Sequence, residues 1–503
     1  MKLKLLEYRW HWCDLGILPI HSINFHPIRD NIFVTAGQHK YARIWSLSDP
    51  GLSKDSSEAP EFIAQLSRHR FPINTARFSP FGDMLLTAGD GGELVIWRCA
   101  SSSDPPPTDD LALDEMERDY APPNKEDWKC LAAASASKES DIYDAAWSPD
   151  EKFIVAGSSD RSVSIYGLSL VGQSLTIQRI KLFSSIHSKF VQGVGWDPLN
   201  FFIHTHGTDR IVRLMSITDR ELLVSPTSSP QTSPSLRGTP SPPAFEHYCT
   251  IDSASLYFHP SQDPVQTLDP VPGYPSVPPS KLFSSELSAK TFFRRGSWSP
   301  DGTLLVLPTG DLPLCTISTQ SEGAVDCAFV FVRSCFSRPI AALRLGSLPI
   351  TSVSFLPVLL KLRPSSTPPL LSLDYRMVFA VASSCSLAIY DTQQRFPLML
   401  ATNVHPVSIT DLAWSCRKSG IIDLLVSSRD GFLSHLRFQD GELGELLEPS
   451  LLSQSLVDRT RGEMPTGGLL ENLDTPIVGA KRMVNDLTGL VKRKKKKMED
   501  ESK

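Results

Sequence analysis

Four stretches of this chain repeat one pattern of apolar and polar positions. They are RHRFPINTARFSPFGDMLLTAGDGGELVIW ending at Trp97, SDIYDAAWSPDEKFIVAGSSDRSVSIY ending at Tyr166, HSKFVQGVGWDPLNFFIHTHGTDRIVRLM ending at Met215, and HPVSITDLAWSCRKSGIIDLLVSSRDGFLSHLRF ending at Phe438. Each opens with an apolar strand that runs into an aromatic and a Ser-Pro-Asp-Gly-like turn. A strand of small residues follows, then an Asp turn and an aliphatic strand. Short runs with period-two alternation, separated by turn residues, predict antiparallel strands rather than helices.

A recurrence of about 40 residues built this way predicts a WD-repeat β-propeller. The expected fold is all-β: a seven-bladed WD40 propeller with two disordered insertions and a disordered basic C-terminal tail. The blades read as approximately 18–47, 66–99, 128–168, 180–217, 288–333, 338–391 and 397–438, interrupted by insertions at 100–127 and 218–280 and followed by a flexible tail, 439–503. Residues 1–10 are expected to add a strand to the last blade and close the ring, which removes exposed edges. His69, His187 and His405 each precede an aromatic (Phe78, Trp196, Trp414) by nine residues. In WD repeats such a His bonds the Asp of the following tight turn, here Asp209 and Asp430, so these three read as structural. No blade keeps the whole His–Ser/Thr–Asp–Trp set. Met215 stands in the Trp position of blade four, Gly91 in the Asp position of blade two, and Lys138 and Tyr166 in the His and Trp positions of blade three. Packing against two neighbouring blades compensates.

Composition then narrows the function. The nine Cys are scattered, with no C-x-x-C pair, which predicts reduced thiols, an intracellular protein and no metal site. The N-terminus lacks an apolar signal core, and no run approaches the ~18 apolar residues of a membrane span. The chain therefore reads as soluble, nuclear or cytoplasmic, with no membrane partner. There is no Walker loop, G-x-S-x-G or H-E-x-x-H, so neither a catalytic residue nor a cofactor is expected. The net charge is −5, yet Lys492, Arg493, Lys494, Lys495, Lys496 and Lys497 are all cationic and leave the rest of the chain at −11. An acidic body argues against sequence-specific DNA binding. The basic cluster, with Lys481 and Arg482 upstream, reads as a nuclear-import signal, which would place the protein in the nucleus; nonspecific nucleic-acid contact is the alternative. The first insertion is acidic between Asp104 and Asp119 and suits a basic partner, or simply keeps a loop solvated. The second is Pro- and Ser-rich, and Ser225, Ser229, Ser233, Thr239 and Ser241 each precede Pro, as candidate phosphorylation sites.

Six strings are more specific than a generic WD repeat: NKEDW (124–128), SDIYDAAWSPD (140–150), HSKFVQGVGWDP (187–198), KTFFRRGSWSPDGTLL (290–305), FVFVRSCFSRPIAAL (329–343) and YRMVFAVASSCSLAIYDTQQRFP (375–397). On these the chain resembles the middle, WD-repeat subunit of chromatin assembly factor one, a replication-coupled histone chaperone complex. The resemblance covers about residues 1–440. It implies a non-catalytic scaffold that binds the large subunit of that complex and, through it, the small WD-repeat histone-binding subunit. It further implies an arginine-rich core histone pair as direct or indirect cargo, and the anti-silencing histone chaperone as a donor, for which AKRMVNDLTGLV (480–491) is the nearest motif here. The partner-binding candidates are Phe292, Phe293, Arg294 and Arg295 in FFRR, Tyr375 and Arg376, and Gln393 and Gln394 in YDTQQ. Packing between blades is the competing role for each. Departures from the family are the long 218–280 insertion, a weakly matched blade one and a short tail. The alternatives are another WD-repeat adaptor, of a replication-independent histone chaperone or a ubiquitin ligase, and a propeller enzyme.

Overall fold

The structure is a computed structural model that describes residues 4–9, 12–13, 16–47, 59–100, 122–135, 140–171, 174–218, 244–251, 292–308, 311–313, 324–333, 335–336, 339–345, 348–364, 371, 373–394 and 396–447. Among the described residues the strands form seven antiparallel blade sheets and one two-stranded hairpin, Trp12–Cys13 with Gly16–Ile17. Blade one runs Ile20–Phe25, Ile32–Gly37, Tyr41–Ser46, Glu61–Ser67, and blade two Ile73–Phe78, Leu85–Gly89, Glu93–Cys99, Trp128–Ser135. Blade three is Ile142–Trp147, Phe153–Ser158, Val163–Val171, Ser174–Phe183, and blade four Val191–Trp196, Phe202–Gly207, Val212–Thr218, Ala244–Ile251. Blade five is Ser297–Trp298, Leu304–Leu307, Ala324–Val332, Ala341–Arg344, with Asp311–Pro313 also pairing the third strand. Blade six is Ile350–Phe355, Val378–Ser383, Leu387–Asp391, Met399–Ala401. Blade seven is Ile409–Cys416, Ile422–Ser428, Phe432–Phe438, with Lys4–Arg9 as its outer strand.

The first strands of successive blades contact one another around a closed ring, blade seven returning to blade one. They are therefore the innermost strands. The outermost strands of blades one to three, five and six lie in segments that the sequence alone gives to the next blade or to the boundary before it. Blade four's outermost strand, Ala244–Ile251, lies inside the segment read as the second insertion. The phase of the sequence repeat is thus offset from the blade by one strand. Residues 439–447, read with the tail, pack on blade six: Lys361 N donates to Glu445 O at 2.9 Å, and Leu443 is buried.

Packing follows from small and apolar residues. The second strands, such as Ile32–Gly37 and Val378–Ser383, are buried along their whole length between neighbouring blades. Hydrophobic clusters bridge blades: Val155, Val163 and Ile165 of blade three pack with Val191 and Trp196 of blade four. Indoles reinforce this, since Trp147 Nε1 donates to Arg77 O and Trp414 Nε1 to Ser354 O, each from one blade to the one before it. The histidines act as expected of a structural role. His187 Nδ1 meets Asp209 Oδ1 at 3.0 Å and its Nε2 meets Thr205 Oγ1 at 2.9 Å. His405 bridges Asp430 (2.9 Å) and Ser434 (3.0 Å). In blade two, Thr87 ties His69 (2.7 Å) to Trp97 (2.8 Å), and burial pushes the His69 imidazole down to about 3. Among the described residues no group of His, Cys, Asp and Glu could hold a metal, and no helix is long and apolar enough to cross a membrane.

Candidate functional site

Six of the seven innermost strands share one irregularity. The pairing shifts just after the first buried aliphatic residue, at Ile20, Ile73, Ile142, Val191, Ile350 and Ile409. A bulge re-aims the side chains that follow it. Those that follow are mostly polar: His21-Ser22, Asn74-Thr75, Tyr143-Asp144, Gln192-Gly193, Thr351-Ser352 and Thr410-Asp411. In blade five, Arg294-Arg295 occupy the matching place before Ser297–Trp298. The six bulges and the Arg294-Arg295 pair together put a polar collar around the axis.

Arg295 fills the collar. Its side chain is 4% exposed. Nη1 donates to His21 O at 2.7 Å and Thr410 O at 3.2 Å, Nη2 donates to Asn74 O at 2.8 Å, and Nε donates to Asp144 Oδ1 at 3.4 Å. Asp411 Oδ2 lies 3.3 Å from Nη1 and also accepts from Arg77 Nη1 at 2.7 Å. The Arg295 backbone continues the ring: its N–H donates to Thr351 O and its carbonyl accepts from Val353 N, each at 2.9 Å. The N–H of Arg294 reaches Gln192 O of blade four. One dipeptide thus touches all the other blades. Gly193 permits the approach, because a Cβ there would collide with the Arg294 carbonyl. Two guanidinium groups and two carboxylates balance at the axis, the geometry a buried ion cluster needs. Burial pushes the Asp411 carboxyl up, but Arg295 and Arg77 outweigh it and hold it below the usual range.

The remaining candidates fall into two sets. Phe293 and Arg294 are buried, and the Arg295 guanidinium lies 4.2 Å from the Phe293 ring centroid. Tyr375 is buried and its hydroxyl donates to Asp301 Oδ2 at 2.5 Å, joining blade six to blade five. Arg376 is fully buried; it pairs with Asp391 at 2.8 Å and donates to the Leu443 carbonyl. Gln393 is buried and holds both backbone groups of Arg363 (3.0 and 2.7 Å). YDTQQ therefore clamps the first connection of blade six to the segment that follows blade seven. Only Phe292 and Gln394 of the eight present side chains at the surface. The phosphorylation candidates Ser225, Ser229, Ser233, Thr239 and Ser241 lie outside the described residues. So do the basic cluster Lys481, Arg482 and Lys492–Lys497, residues 480–491 and the acidic stretch 104–119.

Phe292, 43% exposed, is the start of an aromatic strip that sequence reasoning did not assemble. It packs edge-on against Tyr143 (4.9 Å between centroids) and Phe293 (4.6 Å) and stacks on His21 (6.0 Å). Tyr143 continues to Phe190 at 6.0 Å, which is 50% exposed. The strip spans blades one, three, four and five, and Phe293 joins it to the Arg295 guanidinium. Burial, then Arg295, push the His21 imidazole down to about 4, so it stays neutral. The bulge column, aliphatic-x-polar in five of the seven innermost strands, was the signal that would have located this centre.

Comparison with known proteins places this geometry. The chain matches the model of the CAF1B/HIR1 beta-propeller domain over residues 1–236 and 277–443. It belongs to that family. It is 33% identical over 486 residues to the B-type subunit of chromatin assembly factor 1 from Schizosaccharomyces pombe, a match covering 88% of this chain and 89% of that protein. It is 31% identical over 466 residues to the Mus musculus counterpart, covering 90% of this chain and 70% of the relative. Protein HIR1 of Kluyveromyces lactis is 25% identical over 463 residues, covering 88% of this chain and 44% of that protein. In this CAF1B/HIR1 propeller the buried Arg295 cluster joins the blades at the axis, and Phe292 and Phe190 are exposed.

Proposed function

We propose that this protein is a non-catalytic scaffold subunit of a histone chaperone complex that deposits newly made core histones on DNA during replication, and in repair. The observation that carries the reading is its likeness to the B-type subunits of chromatin assembly factor 1, at 31% and 33% identity, against 25% for a HIR1 protein. The ring centre supports a binding role. Its charged groups are consumed by one another, and the exposed aromatic strip lies on a face, where partners dock. In this reading the propeller binds the large subunit, with Phe292 in the contact and Gln394 as a second reachable point. The histone pair and the small WD-repeat subunit associate through the complex. Residues 480–491 serve the anti-silencing donor chaperone. Lys481, Arg482 and Lys492–Lys497 direct nuclear import, and the Ser-Pro and Thr-Pro sites between Ser225 and Ser241 accept phosphate. The test is co-expression of the full chain with a large subunit, then assembly of nucleosomes on replicating plasmid in extract depleted of the endogenous complex. Stable co-purification and restored assembly support the reading; a protein that neither co-purifies nor restores assembly ends it. A fluorescent fusion with Lys492–Lys497 changed to Ala, expected to remain cytoplasmic, tests the import signal separately.

A further inference from the structure

We propose that Asp90 and Asp141 hold the cationic head of a single lysine or arginine side chain from a partner polypeptide, whose apolar neighbours lie across Tyr143, Phe190 and Phe292. This contact adds to the scaffold role a site of defined chemistry, whichever partner chain supplies the side chain. The repeat explains neither carboxylate. In blades four and seven the Asp of the turn between second and third strands ties down a histidine, Asp209 to His187 and Asp430 to His405. In blade two Gly91 stands in that place, and His69 bonds Thr87 instead. Asp90, one residue early, is thereby released from that task. Asp141 is the residue before blade three's innermost strand, Ile142–Trp147. The corresponding residues of the other blades are Pro19, Pro72, Phe190, Phe292, Pro349 and Ser408, none of them charged.

The fold brings the two carboxylates together. Gly91, at φ +75°, donates its N–H to Asp141 Oδ1 at 3.0 Å. Asn74 Nδ2 donates both to Asp90 Oδ1 at 2.7 Å and to Ile142 O at 3.0 Å. Asn74 is fully buried, and its Oδ1 makes no hydrogen bond. Neither Asp90 nor Asp141 forms an ion pair among the described residues. Burial pushes the Asp90 carboxyl up, the Asn74 bond opposes this, and the like charge of Asp141 adds to the rise. Burial, then Asp141 and Asp90, push the Tyr143 hydroxyl up, so both charges reach that side chain. The unspent carboxylate and amide oxygens are acceptors, whereas ammonium and guanidinium groups carry only donors. The walls are aromatic. Phe71 lies against Gly91, where a Cβ would meet its ring at 2.7 Å, and Tyr143 leads to the exposed Phe190 and Phe292. Rings beside carboxylates suit a cation on an apolar stem. Exposed Arg70, Arg161 and Lys189 stand on the adjoining loops, so the sign is set by this pair and not by the face as a whole. They disfavour a polybasic run and leave room for one cation. Two carboxylates are too few for the about six to eight oxygens that a calcium ion takes, and among the described residues no group of three His, Cys, Asp or Glu could hold a metal.

The test uses the full chain and fluorescein-labelled short peptides tiled along the core histones and the large subunit, read by fluorescence anisotropy at low and high salt. The tightest peptides are expected to carry a Lys or Arg beside an apolar residue. Changing that residue to Gln is expected to weaken binding at least about tenfold at low salt and to flatten the salt dependence. Asp90→Asn with Asp141→Asn is expected to do the same, and the two changes together to cost little more than either alone. Asn at both positions still accepts from Asn74 and Gly91, and unchanged melting temperatures confirm folding. Asp83→Asn with Asp440→Asn, exposed and away from the site, is expected to bind as wild type does. Binding that survives the Asp90/Asp141 pair, or that is indifferent to the peptide's Lys or Arg, overturns the inference. So does failure of every peptide to bind, while co-purification with the large subunit still decides the scaffold reading by itself. A full-length variant with Lys492–Lys497 changed to Ala is expected to bind peptides unchanged; severalfold tighter binding would assign the site to this chain's own basic cluster and overturn a partner as its occupant. Self-association in sedimentation that the Asp90/Asp141 pair abolishes would likewise overturn it in favour of a second copy.

Discussion

Replacing Arg295 with Met tests whether one side chain locks the ring. The guanidinium donates to three backbone carbonyls and contacts two buried carboxylates, contributed by blades one, two, three and seven. Removing one member of a buried ion cluster costs about 3–5 kcal/mol, because the partners stay buried without compensation. Arg77 still holds Asp411 at 2.7 Å, so the loss falls mainly on Asp144 and the three carbonyls. That places the expected cost at the lower end, about 3 kcal/mol, a large share of the roughly 5–15 kcal/mol that a folded domain has. Met preserves the apolar stem, so the lost hydrogen bonds dominate. The assay is urea unfolding followed by tryptophan fluorescence, where a slope of about 3 kcal/mol/M converts this cost into a midpoint lowered by about 1 M. Arg295→Lys keeps the charge but reaches fewer acceptors, and is expected to fall between the two. The pH dependence follows from Asp411. Its folded carboxyl sits below the unfolded value, so its stabilisation is present above about pH 4 and disappears as pH falls through the folded value. The gap between wild type and Arg295→Met is therefore full at neutral pH and narrows in acid. A midpoint lowered by less than about 0.3 M, at unchanged slope, refutes the account of Arg295 as the axle.

Asp423 is buried and bonds Arg417, His435 and Arg437, each at 2.7 Å. Asp423→Asn leaves two guanidinium groups short of a counter-charge and should lower stability by about 3 kcal/mol, read by the same urea titration. Asp209→Ala should cost about 1–3 kcal/mol at neutral pH. Burial pushes the Asp209 carboxyl up, but the His187 bond and the N–H groups of Ser188 and Ile211 outweigh it, so this cost should shrink below about pH 4 in melts across pH. Deleting residues 1–9 removes the strand paired with Phe432–Arg437 and exposes a blade edge; light scattering should show oligomers that the full chain does not form.

The repeat made the blade pattern legible, because each innermost and second strand is buried between neighbours and must follow the apolar code. The outer strands were harder. Ser174–Phe183 is largely exposed, carries no turn signature, and its alternation says strand without saying whose. Outer strands also follow the variable connections, as Trp128–Ser135 follows residues 100–127, so a linear reading assigns them forward. FFRR stood out as a string, but the direction of its residues did not. Whether Arg295 points to a partner or to the axis depends on seven strands distant in sequence, and only the assembled ring brings His21, Asn74, Asp144 and Asp411 to one guanidinium. The same holds for Arg376, whose acceptor at Leu443 lies beyond the last blade.

The pairing of Lys4–Arg9 with Phe432–Arg437 has a consequence for how the protein is made. The first strand leaves the ribosome more than four hundred residues before its partner exists, an interval of some tens of seconds at roughly 5–20 residues per second. Through that time the strand waits unpaired, and the nascent arc of blades ends in open edges. Ring closure is then a late, long-range event that no local sequence can hasten. Until Phe432–Arg437 is made, the Lys4–Arg9 strand offers an unpaired edge to other chains, so the interval before closure is the one most exposed to mispairing.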